Sequence, residues 1–308
     1  MAVDPASGSA REAQPEALRT ITRRLVRRPQ PPWLHAEVAR RMAERLPLVK
    51  LSPKTVIDWW SVNGASRALL HQAYPKASLV RVEEEPAVAR GQGPATAAPR
   101  WWQPRRWLAG MPEPTTPDDV AAGGADLLWA NMMLHWVGDP LAHFRQWHAA
   151  LAVDGFLMFS TLGPGSLAGL RAVYARQGWP PPHAPFIDMH DLGDMLVQAG
   201  FADPVMDQES LVLTWPDADA LLQELRSLGG NADPRRPRGL RTPRWRSRLC
   251  QALEALRGAD GRLRLEFELV YGHAFRGAPR PRVGERTSVA LDEMRAMVRA
   301  GRRGAGAR

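Results

Sequence analysis

Residues 126–167 read DLLWANMMLHWVGDPLAHFRQWHAALAVDGFLMFSTLGPGSL and contain a strand, a helix and a second strand in succession. The first strand is apolar and closes in a polar turn. The helix PLAHFRQWHAAL follows, and a turn at Asp154 and Gly155 opens the second strand. Short apolar strands that are joined by a helix normally lie parallel in a sheet covered on both faces. The stretch therefore predicts one unit of an open α/β sheet.

The sequence on either side repeats this alternation. Upstream, KTVIDWW and SLVRVEE are typical of buried strands, with the helix SRALLHQAY between them and the amphipathic helix WLHAEVARRMAERLPL before them. Downstream, MHDLGDMLVQAGF has the pattern of a helix that ends at Gly200. Alternating strands and helices predict a Rossmann-like, doubly wound fold.

The last two predicted strands differ from the earlier ones. VMDQESLVLTW and RLRLEFELVYGHAF are long and alternate apolar with polar residues, as strands with one exposed face do. A helical insertion rich in arginine separates them at about residues 216–260. The pattern therefore predicts a sheet whose far edge carries a helical insertion.

The ends of the chain and one internal stretch give weaker signals. Residues 1–20 have little periodicity and are predicted to be disordered, and 281–308 to be a basic tail, which leaves a domain at 21–280. The segment 90–124, rich in Pro, Ala, Gly and Trp, is predicted to be loop with a weak strand signal at 105–109.

Composition limits the compartment. No apolar run of the 308-residue chain approaches the roughly 20 residues that cross a bilayer, and the N-terminus lacks the basic-then-apolar pattern of a secretory signal. Cys250 is the only cysteine, so neither an internal disulfide nor a cysteine-rich metal site can form. No histidine spacing typical of a metal site is present. We expect a cytoplasmic protein without a bound metal.

The formal net charge is +9, and only three of the 41 basic residues are lysines: Lys50, Lys54 and Lys76. Such an arginine excess is typical of a GC-rich genome, so the charge can be a solvated surface or can attract an anionic partner. No zinc finger and no aromatic-interleaved RNA motif accompanies it, so nucleic acid is not an expected partner.

Several blocks resemble, in order, the BioC-type malonyl-carrier-protein O-methyltransferases of biotin synthesis, which are class I S-adenosylmethionine-dependent enzymes. These blocks are residues 126–167, FIDMHDLGDMLVQAGFADPVMDQESLVLTW and GRLRLEFELVYGHAF. They also resemble a related branch that includes a mitochondrial complex I assembly factor acting on arginine. The resemblance covers roughly Trp33 to Phe275, and it implies a seven-stranded sheet whose last strand is antiparallel.

The resemblance also implies a cofactor site. Such enzymes place an acidic residue and three alternate glycines after the first strand, where the backbone approaches S-adenosylmethionine. Here Asp58 and Gly64 match, but Trp60 and Val62 stand in the other glycine positions. Glu83 ends the second strand, where the family's acidic residue binds the ribose hydroxyls. The aspartate that normally reaches adenine has no counterpart.

Asn131 follows the next strand and is assigned to the same cofactor site. The prolines that mark enzymes acting on nucleobase or glutamine amides are absent after it, which argues against that substrate class. Trp136 matches a family aromatic beside the reacting centre, or else it is a core residue that caps the sheet. Thr161, in the family block FSTLGP, is a further candidate for the substrate site.

The resemblance implies an acidic carrier protein with a phosphopantetheine arm as partner. Arg238 and Arg244 of the insertion are candidates to bind it or a substrate carboxylate, unless they form a solvated basic helix. His190 and Asp191 either cap a helix or face the substrate, and Tyr271 and His273 are further candidates.

No catalytic dyad is visible, and none is needed, because a carboxylate is already anionic at neutral pH. The resemblance thus favours methylation of a carrier-bound acyl carboxylate. A second hypothesis is a non-methylating binding or assembly protein with a closed cofactor pocket, or one that acts on a protein arginine. The segment Arg27–Trp33 lacks the family's tyrosine and favours that branch. The oligomeric state is left open.

Overall fold

The computed structural model describes residues 15–28, 30–84, 114–237, 239 and 241–278. They form a six-stranded sheet with strand order β2-β1-β3-β4-β6-β5. The strands are β1 (Thr55–Trp59), β2 (Ser78–Val82), β3 (Ala125–Ala130), β4 (Leu151–Leu162), β5 (Ala202–Trp215) and β6 (Leu263–Phe275). The helices are α1 (Pro15–Val26), α2 (Trp33–Ala43), α3 (Ser61–Gly64), α4 (Arg67–Ala73), α5 (Pro140–Ala150), α6 (Ala168–Arg176), α7 (Met189–Ala199), α8 (Ala218–Ser227) and α9 (Pro243–Leu253).

The two kinds of strand behave as their sequences predict. β2, β1, β3 and β4 are parallel, and β1 and β3 are buried on both faces. β6 is antiparallel to both β4 and β5, and β5 alternates between exposed and half-buried residues. The antiparallel last strand and the helical insertion, which carries α8 and α9, are confirmed.

Helices cover both faces of the sheet. On one face, Phe144 and Trp147 of α5 and Leu192 and Leu196 of α7 pack against the sheet. On the other, α2, α4, α6, α8 and α9 pack their apolar residues together. α7 ends at Gly200, which adopts the left-handed conformation (φ 102°) predicted for it.

The seventh strand has no counterpart in the described part of the chain. β2 is the edge strand, and beyond it Thr115 forms a single parallel bridge to Val82. Residues 85–113 lie outside the described residues, and with them most of the predicted loop and its strand signal at 105–109.

The structure contains two helices that the sequence did not predict. Helix α1 begins at Pro15, inside the range 1–20 expected to be disordered, because Ala17, Ile21 and Leu25 form one apolar stripe that packs on Ala232. Helix α6 was not predicted, and it buries Leu170 and Val173. In the described part of the chain, no helix has the length and apolar character of a membrane span.

Candidate functional site

The site lies at the carboxyl edge of the parallel strands. Because β2 and β3 flank β1 on opposite sides, the connections diverge between β1 and β3, and open α/β sheets bind ligands in the crevice at such a switch point. The turns after β1, β2 and β3 meet there. Of the four residues assigned to a cofactor, Gly64, Glu83 and Asn131 follow strands β1, β2 and β3, and Asp58 lies within β1, one residue before its end.

The turn after β1 keeps the backbone that a glycine favours, although it carries a tryptophan. Trp60 adopts the left-handed conformation (φ 56°), and so does Ala65 (φ 54°) at the other end of α3. This conformation costs a non-glycine residue about 1–2 kcal/mol. The indole of Trp60 is buried in the core on the α5 and α7 face, which offsets the strain. The turn therefore survives the loss of its expected glycine.

A glycine is required at position 64 because a neighbouring side chain leaves no room for a Cβ atom. A Cβ atom at this position would lie 2.8 Å from Ser66 Oγ. That hydroxyl cannot move freely, because it donates to Gly64 O (3.0 Å) and accepts from Trp129 Nε1 (2.7 Å). The retained glycine of the motif thus has a packing reason.

Glu83 holds the turn with one oxygen. Oε1 accepts hydrogen bonds from Ser61 Oγ and Val62 N, both at 2.8 Å, while Oε2 accepts none from the described residues. Burial raises the pKa of Glu83, and the bonds from Val62 and Ser61 oppose this. Oε2 is therefore the acceptor that remains for a ligand hydroxyl.

Asp58 is fully buried, and neither of its carboxylate oxygens has a hydrogen-bond donor in the described part of the chain. Burial, and next the charge of Glu83, raise its pKa well above the usual range; Arg81 and the nearby hydroxyl of Ser66, which donates its proton to Gly64 O, lower it less. A buried unpaired carboxylate is costly, so Asp58 either keeps a proton or receives a donor from a ligand.

Asn131 uses all its polar atoms within the protein. Nδ2 donates to His35 O (2.8 Å) and to Gly64 O (2.6 Å), and Oδ1 accepts from Ser160 Oγ (2.7 Å). The amide thereby ties α2, the turn after β1 and β4 to the end of β3. Its role in the structure is to fix the shape of the crevice.

Two cavities meet at this edge. The first, the edge cavity, has a volume of about 460 Å³. It is lined by Trp60, Glu84, residues 136–138 and one side of α1. The second is the smaller of the two, with a volume of about 260 Å³, and we call it the main cavity because its lining is mostly apolar. Its apolar residues include Leu162, Leu167, Leu170, Leu222, Leu225 and Phe267. Trp136 lines both cavities and forms a common wall.

His35 is a residue of the main cavity that sequence reasoning missed. It lies on the apolar face of α2 with Leu34 and Val38 and is buried. Nδ1 lies 2.9 Å from Asn63 O, and Nε2 has no partner in the described part of the chain. Burial lowers the pKa of His35 to about 4, against a smaller opposing effect of the bond to Asn63. A histidine within an apolar stripe was the only sequence signal.

We expect acid to destabilise the fold through His35. The unfolded imidazole takes up a proton near pH 6.5 but the native one only near pH 4, so this contribution is complete above pH 6.5 and is lost as pH falls toward 4. The loss is about 3 kcal/mol. Urea unfolding of the native protein and of His35→Gln at pH 7 and pH 4 measures it, because other groups, including Asp58, cancel in the comparison. Equal pH dependence of the two proteins would contradict the prediction.

Of the residues assigned to the substrate, the structure brings one, Trp136, to the lining of the main cavity. The buried Thr161 does not line it, but its Oγ1 lies 3.5 Å from Nδ1 of His135, which does. Arg244 is exposed on α9 and lines neither cavity, and Arg238 lies outside the described residues.

His190 and Asp191 lie at the start of α7, away from both cavities. Asp188 caps this helix: its Oδ1 accepts from His190 N (2.8 Å) and lies 2.7 Å from His190 Nδ1. His190 and Asp191 are both exposed. The geometry at this helix end is that of a cap.

Tyr271 and His273 are also not brought to the site. They line a third cavity between β6 and the segment after α2. Tyr271 donates to Glu209 Oε1 (2.5 Å), and the guanidinium of Arg45 lies 4.0 Å from its ring centre. Both residues share a face of β6 with Phe267 of the main cavity, but they lie nearer the carboxyl end of the strand, where it meets the segment after α2.

The chain matches the model of the methyltransferase domain over residues 38–203, which defines its class. It is 39% identical to the malonyl-acyl-carrier-protein O-methyltransferase of Laribacter hongkongensis, over 81% of this chain and 84% of that protein. It is 39% identical to the enzyme of that name from Gallionella capsiferriformans (80% and 85% covered) and 37% to that from Halorhodospira halophila (84% and 87%). The chain belongs to the family of malonyl-acyl-carrier-protein O-methyltransferases.

Proposed function

We propose that this protein transfers the methyl group of S-adenosylmethionine to the free carboxylate of a malonyl group that is carried by an acyl carrier protein in biotin synthesis. The observation that carries the proposal is the pair of cavities that share Trp136. One lies at the switch point where such a sheet binds its cofactor, and the other is an apolar pocket for a second ligand.

The crevice offers groups suited to this cofactor. Trp60 and Glu84 line the edge cavity, and Asp58 and Glu83 lie close to them along the chain without lining it. Asp58, a buried carboxylate without a donor, and Glu83 Oε2, an acceptor without a partner, match a ligand that carries an ammonium group and ribose hydroxyls. Trp60 keeps the left-handed backbone conformation that the turn requires, and its side chain lines the edge cavity. When bound, S-adenosylmethionine supplies an electrophilic methyl group to a nucleophilic oxygen.

The chain's own residues position the acceptor rather than activate it. A malonyl carboxylate is anionic at neutral pH and needs no general base. The main cavity has a mostly apolar lining, which favours displacement of water by a bound acyl group, and Trp136 lines both cavities, so the methyl donor and the carboxylate would meet beside its ring. Catalysis then rests on orientation in a dry pocket, which is worth several orders of magnitude in rate.

The main cavity also has basic residues suited to an acidic carrier. Arg226 lines it, is exposed and makes no ion pair with a described residue. Arg24 lines it as well and donates to Gly229 O. A basic surface raises the association rate with an acidic partner, and salt reduces the effect.

The direct test incubates the purified protein with S-adenosylmethionine carrying a labelled methyl group and with malonyl-carrier protein. We expect a labelled methyl ester on the carrier. Acetyl-carrier protein, which lacks the free carboxylate, is the matched control and should stay unlabelled. No binding of S-adenosylhomocysteine by calorimetry, together with no ester, would contradict the proposal and favour a non-methylating assembly protein. Rescue of a biotin-requiring strain without its own methyltransferase tests the pathway.

The assignment of Glu83 predicts that Glu83→Ala weakens cofactor binding at least several-fold. Glu83→Gln separates binding from structure, because its amide oxygen still accepts from Ser61 and Val62 while a donor replaces Oε2. We expect Glu83→Gln to weaken S-adenosylhomocysteine binding about tenfold, the effect of losing a hydrogen bond to a charged group. Calorimetry measures it, with Glu84→Gln as control. A larger loss in the control would place the ribose acceptor at Glu84.

A further inference from the structure

His35 lines the main cavity, and its ring carries a hydrogen-bond acceptor, Nε2, that no described residue uses and that is itself buried. The carbonyl oxygen of Asn63 can only accept a hydrogen bond, so the Nδ1 atom of His35, 2.9 Å away, carries the proton. Nε2 is then unprotonated. Its lone pair is buried and accepts no hydrogen bond from the described residues. The surrounding lining is mostly apolar. An unsatisfied acceptor in such a place is a binding determinant for an N–H or O–H group.

The tautomer is fixed, which makes this acceptor selective. Because burial lowers the pKa of His35 to about 4, the ring is neutral at physiological pH. A neutral lone pair attracts a hydrogen-bond donor and offers nothing to a carboxylate or a phosphate. His35 therefore does not bind the malonyl carboxylate of the proposed reaction.

The substrate of that reaction offers a limited set of donors. Its malonyl group and thioester contain acceptors only, whereas the phosphopantetheine arm begins, one short spacer beyond the sulfur, with an amide N–H. The rings in the main cavity follow the same order from the common wall. Trp136 and His135 have ring centres 5.0 Å apart, and His135 and His35 have centres 6.4 Å apart.

We propose that His35 Nε2 accepts a hydrogen bond from the amide N–H nearest to the thioester of the carrier arm, so that this residue positions the arm and leaves the acyl group to other contacts. The inference rests on the proposed function, since it assumes that the main cavity takes the acyl thioester. It assigns to His35 a part in selecting amide-bearing thioesters over simple ones.

Two small substrates isolate this bond. Malonyl-N-acetylcysteamine thioester has the amide, and its isosteric ketone has a methylene group in place of the N–H. We expect the native protein to prefer the amide about tenfold in kcat/KM, because the ketone leaves Nε2 unsatisfied. His35→Phe should lose the preference. His35→Gln should keep it, since its amide can donate to Asn63 O and present its oxygen to the cavity. S-adenosylhomocysteine binding should stay within about twofold in His35→Gln, which keeps the bond to Asn63 O in the turn after β1, and the preference of His35→Phe is measured at saturating cofactor because it loses that bond.

Nitrogen NMR of histidine-labelled protein gives a readout that needs no turnover. The signal of His35 Nε2, an unprotonated imidazole nitrogen, should move upfield when the amide thioester binds and stay in place with the ketone. An equal preference in native protein and His35→Phe, or a loss of the preference in His35→Gln, would overturn the assignment of His35. If neither thioester is methylated but the signal still moves, the proposed reaction fails and the inference stands. If the signal does not move, the inference fails.

Discussion

Asn131→Asp is expected to lower the free energy of unfolding by about 4 kcal/mol, the cost of an uncompensated charge in the interior. The change removes a donor from between two carbonyl oxygens, those of His35 and Gly64, and puts a carboxylate oxygen there instead. Since these bonds join α2 to the turn after β1, the crevice should lose its shape together with its stability. Urea denaturation at pH 8 measures the effect.

Asn231→Asp is the matched control. Asn231 Nδ2 also donates to a carbonyl oxygen, that of Pro181 (2.6 Å), but the residue is half-buried. We expect a loss of about 1 kcal/mol there. The Asn131 variant should recover part of its stability at pH 5, because a protonated aspartic acid can donate one of the two lost bonds. If the two variants lose the same free energy of unfolding, the hydrogen bonds of Asn131 contribute no more to stability than that of a half-buried amide.

Gly229→Ala should disrupt the wall between the two cavities. A Cβ atom at this position would lie 2.5 Å from Trp136 Cζ2 and 2.8 Å from Cη2, and φ is 130°. Conformational strain and overpacking together should cost about 3 kcal/mol. Displacement of Trp136 should lower kcat/KM for the proposed methyl transfer about 100-fold, the scale of effect that misplacing a positioning group by 1 Å can have.

Gly178→Ala is the control that separates backbone strain from steric overlap with a neighbouring side chain. Gly178 has a similar requirement for positive φ (64°), but a Cβ atom there meets nothing within 4 Å. It should lose about 1 kcal/mol and keep its activity. A Gly229→Ala protein as active as the control would mean that the position of Trp136 is not important for the reaction.

The parallel core and the antiparallel edge were predictable because their signals are local. Apolar content separates β1 and β3, buried on both faces, from the alternating β5, and the left-handed Gly200 is visible as a helix end. Helix α1 was missed because its stripe, from Ala17 to Leu25, is short and its partner Ala232 is far along the chain. The contacts that orient a side chain are equally hard to predict, because they too join residues that lie far apart in the sequence.

The sequence indicates where in the fold the candidate cofactor residues lie, but not which hydrogen bonds they make. Asp58, Gly64, Glu83 and Asn131 do meet at one edge, as a motif after successive parallel strands implies. Their hydrogen bonds depend on register and packing, which no local pattern encodes. Tyr271 shows this clearly: alternation puts it on one face of β6, but only the fold shows that this face meets Arg45 after α2.

The common wall at Trp136 has a thermodynamic consequence. If one ligand shifts this indole, the affinity for the other changes by some factor, and linkage requires that factor to be the same in both directions. The two ligands would then bind cooperatively through the position of this side chain, in addition to their contact in the reaction. Each ligand would raise or lower the affinity of the protein for the other by the same amount, whichever of the two binds first.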